Sequence, residues 1–258
     1  MRCGVNSQAK ANGAIIYRGP SMLDGAPIVV VATGLAKGSN NSKTGAGLIQ
    51  TWILRDDVSP TDAVNTGADA SICGACPHRG DLVAGRNVNR SCYVTVFQAP
   101  LNVWKSVHRG IYADVSDNLT ATFAGRGVRL GAYGDPAAVP LAVWHAVLAE
   151  ASFWTGYTHQ WKDCDRGYAD YCMASADSEG DRQMAGMLGF RTFRVRAASE
   201  PKLDREVTCP ASHEAGQKTN CDACRACGGN TAKARADIVI VAHGAASKIN
   251  AHARRIAA

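Results

Sequence analysis

The chain reads as an α/β protein built on parallel strands, and three observations lead there. From the middle of the chain onward, apolar runs of strand length alternate with stretches of helical period. Those strands end in Gly, Asp, His or Ser, the residue types that fill loops at the carboxyl edge of a parallel sheet. With 258 residues, 46% hydrophobic and 19% charged, the chain holds enough apolar side chains for a sizeable core. The expectation is one domain over residues 1–258, its sheet either open or closed into a full or partial (β/α) barrel.

The elements follow in order. Pro27 to Ala32 is the first clear strand, closed by Thr33-Gly34, and Leu48 to Leu54 is a second, rich in β-branched and aromatic residues. A long loop from Arg55 to Ser91 comes next; loops of that length inside a compact domain usually carry function. Pro100 opens a helix to about Tyr112, with Leu101, Trp104, Val107, His108 and Ile111 on one face. Val128 to Ala132 is a strand running into Tyr133-Gly134-Asp135-Pro136. Pro140 to Glu150 is a helix burying Leu141, Trp144, Val147 and Leu148, and Phe153 to Tyr157 a strand before Thr158-His159. Ser178 and Asp181 form a capping box for a helix that Gly189 stops. Phe190 to Val195 is a strand, residues 198–232 an irregular segment, Ile238 to Ala242 a strand ended by His243-Gly244, and Ala246 to Ile256 a last helix.

Ten cysteines invite a disulfide reading, but Met1 to Ser7 carries no apolar secretory stretch and no run is long enough to cross a membrane. CxxC spacings in such a chain favour metal or redox chemistry in a reducing compartment, so a cytoplasmic protein is expected. The net charge of +6 permits an anionic partner without demanding one.

Seven cysteines fall into two groups. Cys209, Cys221, Cys224 and Cys227 offer four thiolates, enough for a closed [4Fe–4S] cluster or a structural zinc. One isolated Cys joined by CxxCxxC favours iron–sulfur, because zinc sites usually pair two CxxC elements. The segment 198–232 is therefore read as an embedded, cysteine-rich metal-binding loop near the C-terminus. Cys73, Cys76 and Cys92 leave one coordination position without a thiolate. His78 would fill it in a zinc site; in an iron–sulfur site the open iron would bind a substrate or cofactor.

Other residues carry weaker signals. Residues 38–45, ending Lys43-Thr44-Gly45, resemble a phosphate-binding loop but have Ser42 where the glycine belongs; we read a polar loop offering Lys43 and Thr44 to an anionic ligand. His159 and His243 stand at strand ends, each an acid, base or ligand candidate. Cys164 and Cys172 read as ordinary buried thiols, and Trp104 and Trp144 as core. Arg194 and Arg196 read as an exposed basic edge, with phosphate contact as the functional option.

Cys73-Gly-Ala-Cys76-Pro-His with Cys92-Tyr-Val, Asn41-Ser-Lys-Thr-Gly45, Gln50-Thr-Trp-Ile-Leu54 and the later Cys-x-x-Cys-x-x-Cys-Gly together resemble an uncharacterised cysteine-rich protein family of tailed bacteriophages. That family is distantly similar to radical-SAM-like phage proteins. The resemblance implies a radical-SAM-like barrel in which Cys73, Cys76 and Cys92 ligate the reactive [4Fe–4S] cluster, with the later quartet holding an auxiliary one. Gly134 and Asp135 would then bind S-adenosylmethionine, joined by Thr44, with Asp135, Lys43 and His243 nearest the chemistry. The spacing departs from the usual CxxxCxxC. An electron donor and a nucleotide or nucleic-acid substrate in the infected host cell complete that expectation. The alternative is a zinc-stabilised, non-enzymatic phage protein that is structural or presents Arg191, Arg194 and Arg196 to DNA or RNA.

Overall fold

The computed structural model describes residues 11–38 and 42–257; Cys3 and residues 39–41 of the Lys43 loop lie outside the described residues. In chain order, β1 (Gly13–Pro20), β2 (Pro27–Thr33) and β3 (Leu48–Arg55) form an antiparallel meander. The segment after β3 contains α1 (Pro60–Thr66), α2 (Ala70–Cys73) and the hairpin β4 (Asp81–Val83) with β5 (Arg86–Val88). Then come α3 (Ala99–His108), β6 (Ala113–Asp114), α4 (Leu119–Phe123), β7 (Gly127–Tyr133), α5 (Leu141–Leu148), β8 (Phe153–Thr155) and β9 (Tyr157–Thr158). The chain continues through β10 (Met173–Ala176), α6 (Glu179–Met187), β11 (Thr192–Arg196), β12 (Glu206–Thr208), α7 (Cys221–Cys224), β13 (Asp237–Val241) and α8 (Ala246–Ala257).

The strands make a six-stranded sheet, β6-β1-β2-β3-β7-β8, and a five-stranded sheet, β12-β13-β11-β10-β9. Only Gly156 separates β8 from β9, so one bent strand passes from the first sheet into the second. From β3 through β7 and β8, and from β9 across β10, β11 and β13 to β12, every pairing is parallel. The fold is thus mixed α/β with a largely parallel central sheet, extended on one side by the antiparallel β1 and β2.

Burial explains the pattern. Ile28 to Ala32 of β2, Ile49 and Ile53 of β3, and Val128 and Leu130 of β7 are buried together with Val103 and Val107 of α3, Phe123 of α4 and Trp144, Val147 and Leu148 of α5. Each large aliphatic or aromatic side chain removed from water contributes about 1.5–3 kcal/mol. Trp144 joins this core with its indole N–H bonded to the Pro136 carbonyl at 2.9 Å. Cys172 is fully buried and Cys164 packs at the core's edge, as ordinary thiols do. Ser178 caps α6 by accepting from the Asp181 N–H at 3.0 Å. Helix α3 stops at His108, so Ile111 falls beyond it and is exposed.

The expected basic edge on β11 is not there. Arg191, Arg194 and Arg196 are buried and committed to internal partners. Arg194 grips Glu206 of β12 through Nε and Nη2 at 2.7 and 2.8 Å, Arg191 donates to the carbonyls of Ala226, Gly229 and Ala236, and Arg196 bonds Glu214 and the Glu200 carbonyl. These bonds offset the cost of burying the three guanidinium groups, although the Nε atoms of Arg191 and Arg196 stay without a partner. None of the three faces outward to a nucleic acid.

Candidate functional site

A cavity of about 460 Å³ opens at the carboxyl ends of the parallel strands, and the residues expected to hold metal, cofactor or substrate line it: Cys73, Cys76, Cys92, Cys209, Cys221, Cys224, Cys227, Lys43, Thr44, Gly134, Asp135 and His243. The segments that carry them are far apart in the chain, and particular bonds bring each one in.

The first cysteine group is folded by its own turn and fixed from outside. Cys73 ends α2, and the Cys76 N–H donates to the Cys73 carbonyl at 3.1 Å. Gly74 between them has φ +52°, and a Cβ there would lie 2.2 Å from Gln160 Oε1, so the CxxC turn needs glycine at this point. Gln160, just past β9, takes the Ala75 N–H on Oε1 at 3.1 Å and gives Nε2 to the Cys73 carbonyl at 3.0 Å. Arg79 clamps the same turn through Asp69, Gly67 and Gly74. Cys92 reaches it because its N–H donates to the His78 carbonyl at 2.9 Å.

The thiols of Cys73 and Cys76 both feel Cys92. Burial, reinforced by that mutual repulsion, holds both well above the usual thiol range. A cation among them would reverse the balance by favouring thiolates. The Cys76 sulfur also accepts the His78 N–H. Arg90 lies half-buried alongside, its charge felt by Cys73, and its buried Nη2 has no hydrogen-bond partner.

The second group is assembled across the sheet. Cys209 follows β12, its N–H bonded to the Val239 carbonyl at 2.8 Å and its sulfur accepting from the N–H groups of Ala211 and Ser212. Asn220 caps α7 and so orients Cys221 and Cys224. The Cys227 carbonyl accepts the Gly156 N–H at 3.1 Å, and its thiol pairs with the Tyr157 hydroxyl. Burial, together with Cys209, Cys221 and Cys224 nearby, pushes the Cys227 thiol up to about 12. The Lys43 loop docks on this group: Cys221 N–H to the Lys43 carbonyl at 2.9 Å, Asp222 N–H to the Thr44 carbonyl at 3.1 Å.

Among the described residues, the three-donor group with all ligand atoms within 4.8 Å of one another is His78, His159 and Asp177; no trio of cysteine sulfurs is drawn that close.

Between the groups stand the polar candidates. Asp135 is buried, and Gly134 before it turns the chain at φ +82° where a Cβ would lie 2.6 Å from Ile53 Cβ. The Asp135 carboxylate accepts the Ala137 N–H at 3.0 Å and the His159 N–H at 2.8 Å, so it also splices the end of β7 to the end of β9. Lys43 Nζ lies 3.3 Å from His243 Nε2, while His243 Nδ1 lies 3.2 Å from the Val241 carbonyl. The Nδ1–H tautomer satisfies both bonds, with Nε2 accepting from the ammonium. Burial, with Lys43 beside it, holds this imidazole below its ordinary range and therefore neutral. His78 does not turn toward the cysteines as a fourth ligand: its Nδ1 pairs with Ser91 Oγ at 2.8 Å and its Nε2 faces Asp177.

Sequence reading missed Gln160, Arg79, Arg90, Asp177, His252, Tyr157 and Arg129. Gln160 is adjacent to a residue that was noticed, His159, but an amide bridging a turn 85 residues upstream leaves no local pattern. Arg129 sits mid-strand in β7, its Nη2 donating to the Tyr93 hydroxyl at 2.7 Å, where only the tertiary fold shows that it faces the cavity.

Comparisons with protein-family models, with curated proteins and with solved structures find no match for this chain. Fold and site together define an α/β protein with a thiol-lined cavity at the carboxyl edge of its parallel strands. No helix among the described residues is long and apolar enough to cross a membrane.

Proposed function

We propose that this chain is an iron–sulfur enzyme of the radical-SAM-like kind, with an open cluster on Cys73, Cys76 and Cys92 and a closed auxiliary cluster on Cys209, Cys221, Cys224 and Cys227. The observation that carries it is the convergence of seven cysteines, from four separate stretches of chain, on one cavity in a group of three and a group of four.

Three features support the donor sets. The sulfurs of Cys76 and Cys209 accept backbone N–H groups, which lower the cost of negative charge on them. Arg90, with an unpartnered buried nitrogen beside Cys73 and Cys92, suits an anionic centre there. Spacing matters as well. Thiolates about 2.3 Å from a single tetrahedral zinc stand about 3.8 Å from one another, whereas a cubane spreads them over separate irons. Among the described residues no three cysteine sulfurs lie within 4.8 Å of one another, as a ready-made single-zinc site would place them.

A partial barrel is part of the same reading. The strands β3, β7, β8/β9, β10, β11 and β13 run parallel in that order, and the bonds from Cys221 and Asp222 to Lys43 and Thr44 tie the far end of the run back to the loop before β3.

When bound and reduced, such an open cluster supplies the electron that splits the sulfonium of S-adenosylmethionine. This chain's residues provide the setting. Asp135 and the backbone at Gly134 receive the ammonium end of the cofactor, and Gln160 and Arg79 hold the CxxC turn rigid. Lys43 and Arg129 offer positive charge to an anionic substrate, a nucleotide or nucleic-acid segment, and neutral His243 positions the Lys43 ammonium through Nε2. In this reading the chemistry takes place in a phage-infected cell and draws its electron from a separate donor.

The test is anaerobic incubation of the reconstituted, dithionite-reduced protein with S-adenosylmethionine. Release of 5′-deoxyadenosine is expected, and its loss in Cys92→Ala with the fold retained. No release from protein with full iron and sulfide content removes S-adenosylmethionine from the account.

A further inference from the structure

Next to the first cysteine group stands a cluster made wholly of nitrogen and oxygen donors. His78 Nε2 lies 3.7 Å from Asp177 Oδ1, and His159 Nε2 lies 3.6 Å from Asp177 Oδ2. One ligand atom from each residue falls within 4.8 Å of the other two. These separations exceed hydrogen-bond length. The two imidazoles and the carboxylate therefore surround a common point instead of bonding one another.

Each donor is held from behind. His78 is oriented through Nδ1 by Ser91 Oγ at 2.8 Å, which aims Nε2 at Asp177. His159 is anchored by its backbone N–H to Asp135. A bond through the second ring nitrogen, as at His78, is how metal-binding histidines are usually fixed. A third imidazole, His252 of α8, stacks on His78 at 5.5 Å between ring centroids, and its Nε2 is buried without a hydrogen-bond partner. All of these residues line the cavity.

We propose that His78, His159 and Asp177 bind one divalent transition-metal ion, of the zinc, ferrous or cobaltous class. Two imidazoles and a carboxylate are a donor set that such ions prefer. Three protein ligands leave at least one position of the ion open. That position takes a water or an oxygen or nitrogen of a substrate in the cavity. Arg255 opposes the ion: both terminal nitrogens lie 3.3 Å from Asp177 Oδ1. Removing that guanidinium therefore tightens binding.

The site stands apart from the iron–sulfur reading, because none of its donors is a thiol. The experiment is an anaerobic Co2+ titration of the full-length, thiol-reduced protein, followed by visible absorption. The expected result is a bound Co2+ with visible ligand-field bands and no sulfur charge transfer, kept in Cys92→Ala. In His159→Gln and Asp177→Asn its affinity falls about tenfold or more, and in Arg255→Gln it rises. Folded His159→Gln and Asp177→Asn proteins that bind Co2+ like the parent overturn the site, as does sulfur charge transfer on every bound ion. Should those variants not fold, pulsed electron paramagnetic resonance of the Mn2+-loaded parent decides. Imidazole nitrogen couplings support the site, and their absence overturns it.

Discussion

Asp135 shows how one side chain serves both structure and site. Its carboxylate caps the turn after β7, accepts the His159 N–H from the end of β9, and lies 3.4 Å from the Gln160 amide nitrogen that also holds the CxxC turn. Asparagine keeps one acceptor but sets an N–H donor against another, and a buried unsatisfied polar group costs about 1–3 kcal/mol. Asp135→Asn should lower the unfolding free energy measured in urea by that amount while the chain still folds; unchanged stability would show that these bonds carry no weight. At the same scale, Gly74 occupies a position where any side chain meets Gln160, so Gly74→Ala should disturb the turn that presents Cys73 and Cys76. Iron uptake of Gly74→Ala by the first group, measured after anaerobic reconstitution, should fall; unaltered uptake would contradict the role given to that turn. The cysteines, Lys43, Asp135 and His243 were legible in the sequence because their chemistry is local and their spacing or strand-end position marks them. Gln160, Arg90 and Asp177 were not, since an ordinary polar residue gains its meaning only from what lies across the fold.

Elements divide in the same way. Strands β2, β3, β7 and β13 were readable because each is a dense run of apolar or β-branched residues buried within its sheet, and β11 because Phe193 and Val195 alternate with polar residues. Strand β10, Met-Ala-Ser-Ala, has little β propensity and forms because β9 and β11 flank it on both sides. Strand β1 carries its apolar residues in one short run, a pattern that helix and strand share. Strand β12 owes its place to Glu206, whose side chain is fully buried against Arg194. Breaking such a pair leaves a buried unmatched charge, at a cost of about 3–5 kcal/mol. Glu206→Ala should therefore destabilise the β11–β12–β13 edge by that order in urea unfolding, and a loss under 1 kcal/mol, the worth of an exposed pair, would mean the bridge is solvated. Reading the β11 arginines as a surface patch failed for the same reason: charge in a sequence looks solvent-facing until its buried partner, here twelve residues later, is seen.

For the whole molecule, the telling fact is that loops from both ends of the parallel strand run meet over one cavity. Alternation of strands and helices made the α/β class readable, but not the antiparallel β1–β2 extension or the crossing from β8 into β9 at Gly156. Nor could it foresee that the Lys43 loop closes on Cys221. On the proposed reading, cysteines serving as ligands would make the metal part of the folding free energy. Stripping metal with a chelator under reducing conditions should lower the melting temperature, and Cys221→Ala should remove much of that difference; equal melting with and without metal would argue against centres built into the fold.

The most direct measurement is iron, acid-labile sulfide and zinc content of protein purified without oxygen, together with its visible spectrum. Two cubane centres give a brown protein with about eight iron and eight sulfide per chain, bleaching in air. A colourless protein carrying zinc in stoichiometric amount, with neither iron nor sulfide, contradicts the account at its centre.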